Sequence, residues 1–316
     1  MKFGASSWPF QWDPPYENVI KRISGLGFKA IELIAWNPGF LKDYYTTSKV
    51  KELRAILSGE GLELSQFVFS QFDLSHPEPD KRKSALEDFK QAADIGLELG
   101  TKIINSVSAW PFGMRFGEEF PWHTHKPLVQ LFTAPMPRGL NWDGNYKSYV
   151  AAVQACADHC EANGLFHSIE PHPYAYVANT SGALRLFEHV DSDALCLNFD
   201  PSHLFPVGDF PNVSVYQLGN RIKHLHVSDN DAVTNVHWRP GQGKIDWKEM
   251  FIALKETGFD GVVSIELEDV PGVSRGGESV PGVYRNPVAT EDFARESVLG
   301  MKYLQTICDE IGLDYE

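Results

Sequence analysis

Four short stretches in the second half of the chain carry residues able to do chemistry. They are Glu170 in HSIEPHP, Asp200 in LNFDPSH, His226 in KHLHVSD and Glu266 in SIELED. Each sits beside strand-type apolar residues, so each is expected to project where a strand ends. A lone buried carboxylate is costly. Three carboxylates meeting at one place repel one another and raise each other's pKa. A divalent cation resolves that conflict. Three carboxylates and one imidazole suit Mn²⁺, with Mg²⁺ or Co²⁺ as alternatives, and Zn²⁺ is less favoured without thiolates. Taken singly, each residue has a plainer reading. Glu170 or Glu266 reads as an ion-paired acid, and Asp200 as the cap of the turn at Pro201. A strand histidine is often only a hydrogen-bonded core residue, the role assigned here to His224. Four such residues at four consecutive strand ends favour the cation.

The chemistry such a centre supports is proton abstraction next to a carbonyl. A cation that holds the carbonyl oxygen and a neighbouring hydroxyl stabilises the enediolate. Glu170 or Glu266 is the candidate base, provided its second oxygen faces the substrate. His203 and His172 are candidates to move protons among hydroxyls near neutral pH. Reprotonation on the other carbon gives isomerisation, and reprotonation on the other face gives epimerisation. Loss of a β-substituent gives elimination.

These residues need a scaffold that gathers strand ends. Short β-rich runs alternate with helical patterns along the whole chain. The runs are 2–8, 29–36, 62–70, 102–110, 165–172, 194–203, 221–229 and 261–269. Helices are expected over YENVIKRISGLG, over TSKVKELRAILSGEG with Ser48 as a plausible cap, from Asp80 to about Leu99, and from Tyr146 to Asn163. Others are expected around SGALRLFEHV, over Val213–Leu218, over WKEMFIALKETG and from Glu291 to Gly312. Strict β–α alternation indicates a parallel sheet, and eight units are the number that closes a barrel. The expectation is one domain over residues 1–316, a single (β/α)8 TIM barrel. A doubly wound open sheet is the fallback, but no G-x-G-x-x-G follows the first strand. A barrel takes about 250 residues, which leaves about 65 for elaboration. The surplus falls after strands 4, 7 and 8, in residues 111–145, 228–245 and 270–287. All three are βα loops and belong to the face where barrel active sites form.

Composition narrows the partners. Lys plus Arg is 28 and Asp plus Glu is 42, a net charge of −14. That balance argues against a nucleic-acid backbone or an anionic membrane. No run approaches the roughly 20 apolar residues of a membrane span, and no secretion signal is visible. Cys156, Cys160, Cys196 and Cys308 read as reduced, packed thiols, and the expected compartment is the cytoplasm.

The pattern resembles the xylose-isomerase-like barrel superfamily of sugar-phosphate isomerases and epimerases, over essentially the whole chain. The motifs that carry the resemblance are Glu170-Pro, Asp200-Pro-Ser-His203, His226 in His-Leu-His-Val, Arg239-Pro-Gly-Gln-Gly-Lys-Ile-Asp-Trp, and Glu266. It implies metal ligation by Glu170, Asp200, His226 and Glu266. It also implies a second-sphere role for His203 and substrate contact by Arg239. Ketose 3-epimerases of the family carry a second glutamate six positions after the first ligand, and here that position is Tyr176. An insertion separates His226 from Arg239.

The chain has eight tryptophans. Trp8, Trp36 and Trp110 fall at strand ends, and Trp12, Trp122, Trp142 and Trp238 in βα loops. They either seal the long loop onto the barrel or form an apolar wall for a sugar or an attached aromatic group. Trp36, Trp110 and Trp238 are the candidates for substrate contact. Arg115, Arg138, Arg239, Arg275 and Arg285 at the mouth come without a Gly-rich phosphate cradle, which leans away from phosphorylated substrates.

The leading expectation is a divalent-metal-dependent sugar isomerase or epimerase. The sequence is also compatible with C-glycoside deglycosidase large subunits, which resemble sugar isomerases and eliminate an aromatic aglycone from 3-oxo-glycosides. Those act with a small β-rich partner subunit. An inositol-catabolism dehydratase is a further relative, and a sugar sensor without turnover is the alternative from another class. A homodimer or a partner subunit is expected.

Overall fold

The computed structural model describes residues 1–113, 138–268 and 287–316. Eight parallel strands close into a barrel in the order β1-β2-β3-β4-β5-β6-β7-β8, with β8 hydrogen-bonded back to β1. The strands are β1 (Lys2–Ser6), β2 (Ala30–Ile34), β3 (Glu63–Val68), β4 (Ile103–Val107), β5 (Phe166–Glu170), β6 (Leu195–Phe199), β7 (Ile222–Val227) and β8 (Val262–Ile265). The barrel is the expected fold. All eight strands fall inside the runs read from sequence, and each is shorter. Past the strand ends the chain continues over the barrel top, except that residues 201–203, read as strand, instead open the short helix α7 (Pro201–Leu204). Ladder bonds continue there, from Ala35 N to Val68 O at 2.9 Å and from Ser108 N to Glu170 O at 2.9 Å.

The surrounding helices are α1 (Glu17–Gly25), α2 (Gly39–Asp43), α3 (Thr47–Gly59), α4 (Pro79–Leu99), α5 (Trp142–Ala162), α6 (Thr180–His189), α7 (Pro201–Leu204), α8 (Pro211–Leu218), α9 (Trp247–Glu256) and α10 (Pro287–Ile311). Apolar side chains at helical spacing turn inward, as Val19, Ile20 and Ile23 do on α1. Three details differ from the sequence reading. The cap of α3 is Thr46, whose side chain accepts from Lys49 N at 3.4 Å, while Ser48 already lies inside the helix. Helix α5 starts a turn earlier than expected, because Asn141 caps it through Gly144 N. Trp142 is therefore a helix residue and not a loop one. Helices α2 and α7 were not expected, being too short to show a period.

Of the long βα loops, the one after β7 is described throughout. Asp229 and Trp238 pair there as an isolated antiparallel bridge. The Asp229 carboxylate is fully buried and ties the loop together. It accepts from Asn230 N at 2.9 Å, Gly241 N at 2.9 Å, Ile245 N at 3.1 Å and Trp247 Nε1 at 2.9 Å. Gly243 passes so close that an added Cβ would lie 2.2 Å from Asn230 O. Trp122, Arg115, Arg275 and Arg285 lie outside the described residues. The four cysteines are free and buried. No helix among the described residues is long and apolar enough to cross a membrane.

Candidate metal centre

The four residues singled out at strand ends meet at the top of the barrel. Glu170 is the last residue of β5, and His226 lies one residue inside the end of β7. Asp200 and Glu266 directly follow β6 and β8. Each offers one ligand atom, and the four atoms lie within 4.8 Å of one another, all on buried residues. His226 Nδ1 stands 3.0 Å from Glu170 Oε1 and 3.0 Å from Glu266 Oε2.

Each carboxylate has one oxygen turned to this point and the other engaged behind it. Glu170 Oε2 accepts from Asn105 Nδ2 at 2.9 Å, and Glu266 Oε1 accepts from Trp8 Nε1 at 2.7 Å. Asp200 Oδ1 accepts from Ser202 N at 2.7 Å, capping α7 with Pro201 at its first position. Asp200 Oδ2 lies 3.5 Å from His203 Nε2. Asp200 thus caps the turn with Oδ1 and leaves Oδ2 facing the group. The condition set for a ligand that is also a base meets a constraint here. The second oxygens of Glu170 and Glu266 already carry hydrogen bonds.

The histidines divide by their bonds. His224 Nδ1 pairs with Asn198 Oδ1 at 2.9 Å and Nε2 with Ser65 Oγ at 3.1 Å. It is the satisfied core histidine expected from sequence, and burial pushes it down to about 4, so it is neutral. His203 Nδ1 pairs with Asn235 Oδ1 at 3.0 Å, and its Nε2 lies 3.8 Å from Glu170 Oε1. His172 is buried, with its ring centroid 3.9 Å from that of His203. It is not a loop histidine in solvent. His237, which the sequence reading passed over, has its ring centroid 4.7 Å from that of His203, tilted by 55°, and stands 3.8 Å from Glu266 Oε2. Asp200, His203 and His237 form a second group of metal-type ligands within 4.8 Å.

Charge explains why these groups tolerate burial. Among the described residues, the side chains able to carry positive charge within ion-pair distance of Glu32, Glu170, Asp200 and Glu266 are all histidines. Burial favours a neutral Glu170, but His226, His203 and the Asn105 amide outweigh it and hold the carboxyl below its ordinary value. Burial pushes Glu266 up to about 7, against the pull of His226 and with help from Glu170 and Glu268. Burial disfavours a charged His226, yet Glu266, Glu32 and Glu170 prevail and raise it well above its ordinary value. A crowded anionic site that keeps protons to offset its own repulsion is a site fitted to a cation.

This gives an expected pH dependence. Glu266 and His226 bind protons near and above neutrality, and a divalent cation must displace them. Affinity for a divalent cation held there is therefore expected to fall as pH drops through 7, by about tenfold per unit for each proton displaced, with Mn²⁺ as the probe. Calorimetric titration between pH 6 and 8 in buffers of different ionisation enthalpy measures both the slope and the protons released.

The other expected substrate residues have the following surroundings. Trp110 is buried with its ring 5.6 Å from His172. Trp36 is 38% exposed, donates to Asp13 Oδ1 at 3.1 Å and lies 6.4 Å from Trp12. Trp238 is half-buried beside Asp229. Arg239 donates Nε to Glu296 of α10 at 2.8 Å and is in neither ligand group. Tyr176, at the position of the missing second glutamate, donates to Asn145 at 2.5 Å and stacks on Tyr149 at 4.8 Å. It is thus held by α5.

Sequence reasoning missed Glu32, His237 and the clamping roles of Trp8 and Asn105. Glu32 had a usable signal, a carboxylate flanked by Ile31 and Leu33 inside a strand-type run. Trp8 had none beyond its place at a strand end.

Comparison with known proteins fits this geometry. The family model for the xylose isomerase-like TIM barrel matches residues 20–291. The chain is 23% identical over 274 residues to D-psicose 3-epimerase of Ruminiclostridium cellulolyticum, covering 85% of this chain and 83% of that one. It is 26% identical over 241 residues to inosose dehydratase of Geobacillus thermodenitrificans, covering 71% and 75%. Among solved structures, D-psicose 3-epimerase from Clostridium cellulolyticum H10 with D-tagatose superposes with a TM-score of 0.74 at 20% identity, over 97% of this chain and 99% of that one. With its closed eight-stranded barrel and the 20–291 match, this chain belongs to the xylose isomerase-like TIM barrel family.

Proposed function

We propose that the protein is a divalent-metal-dependent isomerase or epimerase of a sugar or related polyol ketone. The observation that carries the reading is the buried quartet of Glu170, Asp200, His226 and Glu266, with ligand atoms within 4.8 Å. Similarity to a sugar epimerase and an inosose dehydratase supports the substrate class. Three oxygens and one nitrogen suit Mn²⁺, with Mg²⁺ or Co²⁺ as alternatives. A cation held there supplies Lewis-acid polarisation of a substrate carbonyl.

The chain's own residues do the rest. Asn105 and Trp8 fix the planes of Glu170 and Glu266, and each bond leaves the second oxygen one lone pair. Through that lone pair one carboxylate removes the proton next to the carbonyl, and the other returns it or serves the opposite face. His203 and His172, with ring centroids 3.9 Å apart, pass protons among substrate hydroxyls. Trp110 walls the inner side, Trp36 and Trp238 the rim, and Arg239 approaches from the β7 loop.

The test is solvent exchange. With Mn²⁺ present in D₂O, a ketose substrate is expected to acquire deuterium at the carbon beside its carbonyl. No exchange into any ketose or 3-oxo-glycoside that binds the loaded protein would leave a binder and not an enzyme. A second reading is elimination, favoured by the inosose dehydratase similarity and by the aromatic rim of Trp12, Trp36 and Phe40. Release of an aromatic aglycone from a 3-oxo-C-glycoside, with a small partner subunit added, would select it.

A further inference from the structure

Glu32 stands outside the roles assigned so far. It lies on β2, across the barrel from the candidate ligands, and is fully buried. Its Oε2 is 2.8 Å from His226 Nε2. The same oxygen accepts from Gln66 Nε2 at 2.5 Å. Its Oε1 accepts from Ser6 Oγ at 3.0 Å and from Ser264 Oγ. Side chains from β1, β3 and β8 thus hold this one carboxylate, and it cannot turn away from the imidazole.

Building on the cation reading above, we infer that Glu32 is the positioning residue that keeps His226 protonated at Nε2 and turns Nδ1 to the carboxylates, and that it thereby sets how tightly the site holds a divalent cation. An imidazole has two nitrogens on opposite sides of the ring. Glu32 occupies one, and the other is 3.0 Å from both Glu170 and Glu266. A carboxylate behind a ligating histidine fixes its tautomer and makes the facing nitrogen a stronger donor. Local backbone serves the same end. The β2–β3 register shifts between Ile31 and Glu32, and the β6–β7 register between Leu197 and Asn198. Such irregularities re-aim side chains. Here they bear on Glu32 and on Asn198, whose Nδ2 is 3.1 Å from His226 Nδ1.

Glu32 could instead be a ligand itself, since Glu32, His224 and His226 also lie within 4.8 Å. The bonds of His224 argue against that. Both of its nitrogens already have partners, Asn198 and Ser65, and a cation there would have to displace one of them. Glu32 therefore acts through His226.

The test compares wild type, Glu32→Gln and Glu32→Ala. Mn²⁺ affinity is read from the electron paramagnetic resonance of free Mn²⁺, and the protonated nitrogen of His226 from ¹⁵N spectra of the Mg²⁺-loaded protein. Glu32→Gln is expected to weaken Mn²⁺ about tenfold and Glu32→Ala about 100-fold. The Nε2–H signal is expected to shift in the first and to lose its tautomer preference in the second. A lower melting temperature with unchanged affinity and unchanged tautomer would make Glu32 merely structural and overturn the inference. Should wild type itself bind no metal, the cation reading fails. The ¹⁵N spectrum of the metal-free protein then decides the positioning role, and an unmoved Nε2–H signal in Glu32→Gln sinks it. Should the Glu32 variants not fold, Ser6→Ala combined with Ser264→Ala frees Oε1 while keeping the charge. A several-fold weaker Mn²⁺ affinity supports the inference, and wild-type affinity overturns it.

Discussion

Glu170→Gln is expected to lower kcat/KM by about 10³-fold or more and to weaken Mn²⁺ binding, with the fold intact. The substitution keeps size and shape. The new amide oxygen still satisfies Asn105 Nδ2, now 2.9 Å from Glu170 Oε2. The amide nitrogen then takes the place of Oε1, 3.0 Å from His226 Nδ1. A ligand oxygen becomes an N–H donor aimed at the centre, and one negative charge is lost. His226 keeps Glu32 and Glu266 as anionic neighbours, so the metal-free melting temperature should move by only a few degrees. Mn²⁺ stoichiometry, steady-state kinetics and thermal unfolding measured on one preparation separate the effects. Activity within tenfold of wild type would remove Glu170 from the chemistry.

The second large effect falls on stability. Asp229→Ala is expected to cost about 3–5 kcal/mol, because it strands several buried donors at once. The carboxylate gathers three backbone amides, of Asn230, Gly241 and Ile245, together with the Trp247 indole. Four bonds to one charged group span the insertion between β7 and α9. The loop that carries His237, Trp238 and Arg239 should loosen before the barrel does. Urea unfolding gives the global loss, and hydrogen exchange at Gly241 and Ile245 locates it. A midpoint within error of wild type would show that water replaces the carboxylate without cost.

Much of this architecture was legible because barrel strands repeat a strong local signal. Apolar runs such as AIELI and LCLNF, separated by helical periods, leave little choice of fold class. The quartet was legible for a related reason. A carboxylate or imidazole beside an apolar strand end is conspicuous, and four consecutive strands showed one. Glu32 sits on a strand in the other half of the barrel, where no neighbouring strand end repeats the pattern. His237 follows an irregular loop whose shape depends on Asp229, and no period announces such a position. Trp8 was placed at the mouth, but its indole N–H finds Glu266 only through closure of β8 onto β1. Long-range pairing of that kind is not written in local spacing.

The clamps behind the centre share one origin. Trp8 on Glu266, Glu32 on His226 and Asn105 on Glu170 all come from the chain before β5, while the groups they hold come from β5 onward. The mouth is thus a seam between two halves of the barrel. Whatever draws Glu170, His226 and Glu266 inward pulls the first half against the second. Occupancy of the site and closure of the barrel are one linked equilibrium, and ligand affinity is returned as resistance to unfolding.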